Sequence, residues 1–373
     1  MNKKRMMETF KRLIEIDSVS GDEARIHDFL KQYFKTLGLE VTEDQSREKT
    51  GLGANNLIAR LRGKRDVVPL LFSAHTDTVE PGTGIKMIEK NGHVYSQGMT
   101  ILGADDKAGI AIMLEAIQRI QEEKIETGEV EFILSPGEEV GLLGAAALDM
   151  NLIKARMGYV LDSEGAVGRV TTASPTLYMY EVTITGKAAH AGIEINKGIS
   201  ALNILQNALN NIRTGQIDKN TTANIGFLEG GKAANIVMES LLVKGEVRAI
   251  DPMQAESLIQ EMRQAFKIAA SKYNGKVKFN IKKMATGYNL SEKTAVMKLL
   301  SLANNKLENK MISETSGGGS DANIFNENGK QVVNLSIGYK KIHTTEETIV
   351  IDEIEKATCL VIELIKNAPR SEG

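Results

Sequence analysis

Two adjacent aspartates set on a glycine turn are the residues in this chain that most demand a chemical partner. They stand in Leu102-Gly103-Ala104-Asp105-Asp106-Lys107-Ala108-Gly109 and run straight into an apolar helical segment at 108–120. Neighbouring carboxylates repel each other, and a divalent cation is the obvious group to take up their charge. The plainer alternative is a helix cap in which the aspartates accept backbone N–H bonds. Three further groups bear on the choice. Ser73-Ala74-His75-Thr76-Asp77 closes a short apolar run. The period of two puts His75 and Asp77 on one side of that strand end, where a carboxylate can orient a metal-binding imidazole. Ser135-Pro136-Gly137-Glu138-Glu139 follows an apolar run at 130–134, and Asp162-Ser163-Glu164-Gly165 follows another at 158–161. Paired glutamates are common on solvated surfaces. Groups of this kind gathered at the ends of successive strands nevertheless point to ligands collected at the carboxyl edge of a sheet.

The elements that must position these groups read as follows. Helical spacing predicts helices over 4–16 and 22–37, with His27 beside the apolar stripe of the second and therefore a solvated surface residue. Strands are expected at 56–62 and 67–74, the latter apolar throughout and so buried on both faces. Asn91-Gly92 marks a two-residue hairpin and places His93 in an exposed turn. From Thr176 the pattern becomes strand 177–185, helix 198–212, strands 222–228 and 240–250, helix 252–273 and strand 276–283. That is a complete β-α-β-β-α-β unit. The first pattern then resumes with helix 292–304, a glycine loop at 316–323, strand 332–337, a loop holding His343 and helix 352–365. The expectation is an α/β fold, a mostly parallel sheet flanked by helices, with a smaller α+β domain inserted. The catalytic domain would comprise 1–174 and 287–373, and the inserted lid or dimerisation domain 175–286.

The chain has 373 residues, enough for about two cores. A net charge of -2 means that nothing in the charge balance points to nucleic acid or an anionic membrane. The single cysteine, Cys359, lies in an apolar run, reads as a small core side chain and permits no internal disulfide. No stretch is apolar for the roughly 18 residues a membrane span needs, and we read the protein as cytoplasmic.

His75-x-Asp77, Gly103-Ala104-Asp105-Asp106-Lys107, Glu138-Glu139, Asp162 and His343, in this order around an inserted domain, resemble the M20 family of dinuclear zinc peptidases and deacylases. The resemblance covers nearly the whole chain and is strongest to the family's aminotripeptidases. It implies two zinc ions per subunit, with cobalt or manganese as substitutes. One ion would take His75, Asp105 and Asp162, the other Asp105, Glu139 and His343, with Asp105 bridging. It makes Glu138 the general base, places Asp77 behind His75, and implies a cis Asp105-Asp106 bond. Lys107 is expected to neutralise Asp106.

In the inserted domain Gly186-Lys187-Ala188-Ala189-His190-Ala191-Gly192 resembles the family's G-x-x-A-H-A-G loop. His190 would then donate to the oxyanion, in its own or, in a homodimer, the partner's site; by residue type alone it is a plain surface histidine. Asn235 and Arg248 stand in places like those of substrate-binding residues. Arg248 could hold a substrate carboxylate in bidentate fashion or form a surface ion pair. Gly318 and Gly319 would let backbone N–H groups approach a carboxylate or carbonyl. Two motifs depart from the aminotripeptidases: the glycine loop reads Ser316-Gly317-Gly318-Gly319-Ser320-Asp321 where theirs is R-G-G-T-D-G, and Asp162-Ser163-Glu164-Gly165 replaces their D-G-G-G. The expected activity is removal of the N-terminal residue of tripeptides. The alternatives are an N-acyl amino acid deacylase or dipeptidase of the same family, a metal-binding protein without catalysis, and an interaction module using the small domain's edge strand.

Overall fold

The apolar run expected at 67–74 becomes the strand Leu70–His75, buried along its whole length in the computed structural model, which describes residues 2–370. Val130–Ser135 lies on one side of it and Met157–Ser163 on the other, both parallel, and Gln331–Ser336 extends the parallel run past Met157–Ser163. Leu57–Leu61 and Glu40–Glu43 continue the sheet antiparallel beyond Val130–Ser135, and Arg169–Ser174 pairs antiparallel with Gln331–Ser336. Four parallel strands therefore end at one edge, at His75, Ser135, Ser163 and Ser336. The mostly parallel, helix-flanked sheet is the one the sequence implies.

Helix Ala104–Glu122 packs against strands Leu70–His75 and Met157–Ser163 and against helices Lys3–Ile14 and Ile351–Lys366. A helix covered from several sides needs apolar residues around most of its circumference, and every residue from Ala104 to Ile117 is buried. Gly109 permits its close approach to the sheet, since a Cβ there would lie 2.7 Å from the carbonyl oxygen of Leu161. Inside the sheet layer Phe132 stacks on Phe72 at 6.0 Å between ring centroids, and Phe72 on Tyr159 at 5.7 Å. Truncating such a buried ring costs about 3–5 kcal/mol.

Two compact units result. One runs to Thr172 and resumes over Leu290–Ser316 and from Ser320 onward; the other takes Ala173–Asn289 together with Gly317–Gly319. In the second unit Gly215–Asp218, Thr221–Gly230, Ser240–Ala249, Thr176–Thr185 and Lys276–Ala285 lie side by side in that order, antiparallel throughout. Helices Ala201–Leu209 and Pro252–Lys272 pack on each other and on this sheet. The short edge strand Gly215–Asp218 is an addition to the expected pattern. Among the described residues no helix is long and apolar enough to cross a membrane.

Some expectations fail locally. His27 is not solvated: it is 2% exposed, with Nε2 2.8 Å from Thr76 Oγ1. Its helix, Ala24–Thr36, is covered on more than its apolar stripe, and burial pulls the imidazole down to about 4. His93 opens the second hairpin strand, His93–Ser96, half-buried against Tyr95. The glycine loop stops at Ser320, which caps helix Asp321–Glu327 through a capping box with Asn323.

Candidate active site

The glycine turn and its two aspartates sit where the helix meets the carboxyl edge of the sheet. Gly103 takes a left-handed conformation, φ 72°, and Asp105 and Asp106 depart from helical geometry with a cis bond between them. The departure turns the two side chains in different directions. Asp106 is engaged with backbone: Oδ1 accepts the Gly109 N–H at 3.1 Å and Oδ2 that of His75 at 3.3 Å. Asp105 faces imidazoles on both oxygens, Oδ1 lying 2.9 Å from His75 Nε2 and Oδ2 3.3 Å from His343 Nε2.

Each imidazole faces a second carboxylate. His75 Nε2 is 3.7 Å from Asp162 Oδ1, and His343 Nε2 is 2.8 Å from Glu139 Oε1. His75, Asp105 and Glu139 can bring ligand atoms within 4.8 Å of one another, as can His75, Asp106 and Asp162. The expected ligands His75, Asp105, Glu139, Asp162 and His343 thus come together from five separate segments. Asp106 is the nearby acid whose oxygens backbone amides already occupy.

Surrounding groups fix these side chains. His75 Nδ1 is 3.0 Å from the carbonyl oxygen of Asp77 and 3.4 Å from its carboxylate, which leaves Nε2 as the outward nitrogen. The Asp77 carboxylate also accepts the N–H groups of Glu138 at 2.9 Å and Glu139 at 3.2 Å, and the Ser20 hydroxyl at 2.6 Å. Asp162 accepts the Tyr339 hydroxyl at 2.8 Å, and its backbone N–H donates to Asn334 Oδ1 at 2.9 Å. Lys107 does not neutralise Asp106. Its ammonium is buried and donates to the Ile16 carbonyl at 2.7 Å, and burial draws its pKa down to about 7.

Electrostatically the cluster holds more negative charge than its own imidazoles balance. Burial pushes Asp162 up to about 7, with Asp105 adding to the effect, and burial together with Asp162 raises Glu138 well above the carboxylate range. His343 is raised to about 10 by its bonds to Asp105 and Glu139. Burial would raise Asp105, but the bonds from His343 and His75 outweigh it and hold that carboxyl low. Such opposed displacements are the mark of a carboxylate and imidazole donor set built around cations. Nitrogen and oxygen donors in this mixture suit zinc, and a bridging carboxylate between two imidazole-carboxylate pairs suits two ions.

In the second unit His190 and Asn235 come together. The Ala191 N–H donates to the Asn235 carbonyl at 2.9 Å, and His190 bridges to Ile236. His190 Nδ1 accepts the Gly192 N–H at 3.2 Å, so its proton sits on the exposed Nε2. Arg248 lies elsewhere in this unit, donating to both carboxylate oxygens of Glu246 at 2.8 and 2.9 Å and to the Gly317 carbonyl at 2.8 Å. Gly318 accepts the Ser174 hydroxyl at 2.8 Å. Gly319 belongs to the same short segment of the second unit.

Several residues escaped the sequence reading. Tyr339 and Glu347 carry no signal, and Asp321, which accepts the hydroxyl of Ser135 at the end of the strand before Glu138, stands within the expected glycine loop. Asn334 did carry one, as a polar residue inside the apolar strand Gln331–Ser336.

This constellation on this fold defines a class: the chain belongs to peptidase family M20/M25/M40, whose model matches residues 71–367. It is therefore a hydrolase. Among particular proteins it is similar to aminopeptidase PepT from Bacillus cereus, whose structure superposes with a TM-score of 0.95 at 41% identity over 98% of both chains. A tripeptidase from Staphylococcus aureus matches with a TM-score of 0.96 at 39% identity over 100% of both. The Bacillus subtilis protein YqjE is 43% identical over 370 residues, 99% of this chain and 100% of that one.

Proposed function

We propose that this protein is a zinc-dependent aminopeptidase that removes the N-terminal residue from tripeptides, working with two ions. The observation that carries the reading is Asp105, whose oxygens face His75 and His343 separately while each imidazole meets a further carboxylate. His75, Asp105 and Asp162 would hold one ion, and Asp105, Glu139 and His343 the other. When bound, the ions supply Lewis acidity to the scissile carbonyl and make water more acidic.

The chain's own groups would do the rest. Glu138 takes a proton from the attacking water on its carboxylate and hands it to the departing amine. Asp77 holds the Glu138 and Glu139 backbone and keeps the His75 ring in one tautomer. His190, with its proton on Nε2, is the donor to the developing oxyanion, from its own subunit or from a partner in a homodimer formed through the inserted domain. Arg248, Asn235, Gly318 and Gly319 are the groups for the peptide's carboxylate and carbonyls. A substrate carboxylate at Arg248 would share the guanidinium with Glu246.

Tripeptide cleavage is favoured by the likeness to a tripeptidase and an aminopeptidase over nearly entire chains. A cytoplasmic enzyme acting on small peptides fits a chain whose net charge of -2 does not point to nucleic acid or an anionic membrane. The test is hydrolysis, by zinc-reconstituted protein, of matched free-amine tripeptides, free-amine dipeptides and N-acetyl amino acids. Release of the first residue from tripeptides alone supports the reading. Preference for N-acetyl substrates keeps the mechanism and moves the protein to the deacylases.

A further inference from the structure

His343 is the most exposed of the ligand candidates. Its side chain is 47% exposed, it sits in a loop with a left-handed backbone, φ 60°, and yet its Nε2 meets Glu139 and Asp105 at 2.8 and 3.3 Å. A loop histidine needs something to hold it there. Four residues on, Glu347 is 1% exposed, and its carboxylate is filled by the turn that carries Asp105. Oε2 accepts the N–H groups of Leu102 and Gly103, both at 2.8 Å, and Oε1 accepts that of Asp105 at 3.1 Å.

Convergent backbone N–H groups around a left-handed glycine form an anion-binding concavity, and here the anion belongs to the chain itself. A buried carboxylate persists only where such bonds replace its hydration. The His343 loop is tied in sequence to Glu347 and locally by the Glu347 N–H to the Thr344 carbonyl at 3.1 Å. The other side of the cluster does not use this link. His75 lies on a strand, and Asp162 is fixed by Asn334 and Tyr339. Asp105 has a separate anchor through Asp106, which bonds Gly109 and His75.

We infer that Glu347 is a positioning residue that sets the spacing between His343 and Asp105, so that binding on the Glu139–His343 side depends on it while binding on the His75–Asp162 side does not. The inference rests on the metal assignment proposed above.

The test uses the full chain with Glu347 replaced by Gln, which keeps the volume but turns one acceptor oxygen into an amide donor facing N–H groups. Zinc affinity and stoichiometry are measured by chelator competition, with His343→Ala marking which ion belongs to that side. Amide hydrogen exchange at 102–105 and thermal unfolding of the metal-free protein complete the set. The expected result is an affinity loss of about 10- to 100-fold for the ion that His343→Ala also loses. The other ion should keep its affinity, exchange at Gly103 should quicken, and the cooperative melt should persist. Equal weakening of both ions, or unchanged binding of both, overturns the role of Glu347. Should the Gln variant not fold, Glu347→Asp keeps the charge and withdraws the carboxylate by one methylene; it must weaken the same ion selectively. Unaltered protein that binds no zinc would instead remove the metal assignment, a distinguishable failure.

Discussion

The Asp77 carboxylate accepts the backbone N–H of Glu138 at 2.9 Å and spans to that of Glu139 at 3.2 Å. The aspartate behind His75 therefore also fixes the segment bearing the proposed general base. Only one of the contacts of its carboxylate, that at 3.4 Å from Nδ1, concerns the imidazole. Replacing Asp77 by Asn would set an amide donor against one of these N–H groups. Turnover of Asp77→Asn should fall about 10- to 100-fold while zinc remains bound. Metal content measured beside kcat checks this, and loss of zinc in proportion to activity would contradict it.

Glu138 is separable from the ligands. Glu138→Ala should retain metal and substrate affinity and lose about 10²–10⁴ in kcat, the range general base catalysis supplies. Steady-state kinetics with metal analysis decides, and near-normal turnover would return the proton transfer to another group.

Asp105 is not separable. Asp105→Ala removes the carboxylate that both imidazoles face, and the protein should bind zinc weakly at either position. Equilibrium dialysis that still finds two tight ions in this variant would refute the bridge.

His27 predicts a pH dependence of stability in the metal-free protein. Its folded pKa is about 4 against an ordinary 6.5, so the unfolded chain binds more protons between those values. Stability is complete above pH 6.5 and falls as pH drops toward 4. At pH 5 the loss from this residue is about 2 kcal/mol. His27→Gln should lie below the unaltered protein at pH 7 and close most of that gap at pH 5. Urea denaturation at the two pH values measures it, and a gap of constant size would show that His27 does not titrate on unfolding.

Much of the site was legible because metal-binding chemistry needs charged residues where apolar strands stop, and strand ends are readable from hydropathy. His75, Glu138, Glu139 and Asp162 announce themselves in that way, and Asp105 as one of two adjacent aspartates on a glycine turn that opens an apolar helix. His343 did not; it follows no strong local pattern and came only from the family resemblance. The split β-α-β-β-α-β unit was readable because its periods alternate cleanly between two and 3.6. What the sequence concealed is the tertiary partner of each polar side chain. Glu347 beside Glu346 looks like a solvated pair, yet one is buried under a turn some 240 residues earlier and the other pairs with Lys341. Lys107 next to Asp106 invited a local pairing, whereas its ammonium reaches the Ile16 carbonyl. His27 lies off the helical stripe yet is buried, because a stripe describes one neighbour and helix Ala24–Thr36 has more than one.

The strand Gln331–Ser336 lies among the central parallel strands, although the chain reaches it only after completing the whole of the second unit. Biosynthesis meets the same order. A chain emerging from the ribosome holds His75, Asp105 and Glu138 early but cannot seat the strand that lies beside Met157–Ser163, or His343 that follows it, until residues 331–343 are made. Its hydrolytic centre, on the reading above, stays incomplete throughout translation, and no nascent fragment lacking that last strand would cut peptides around it.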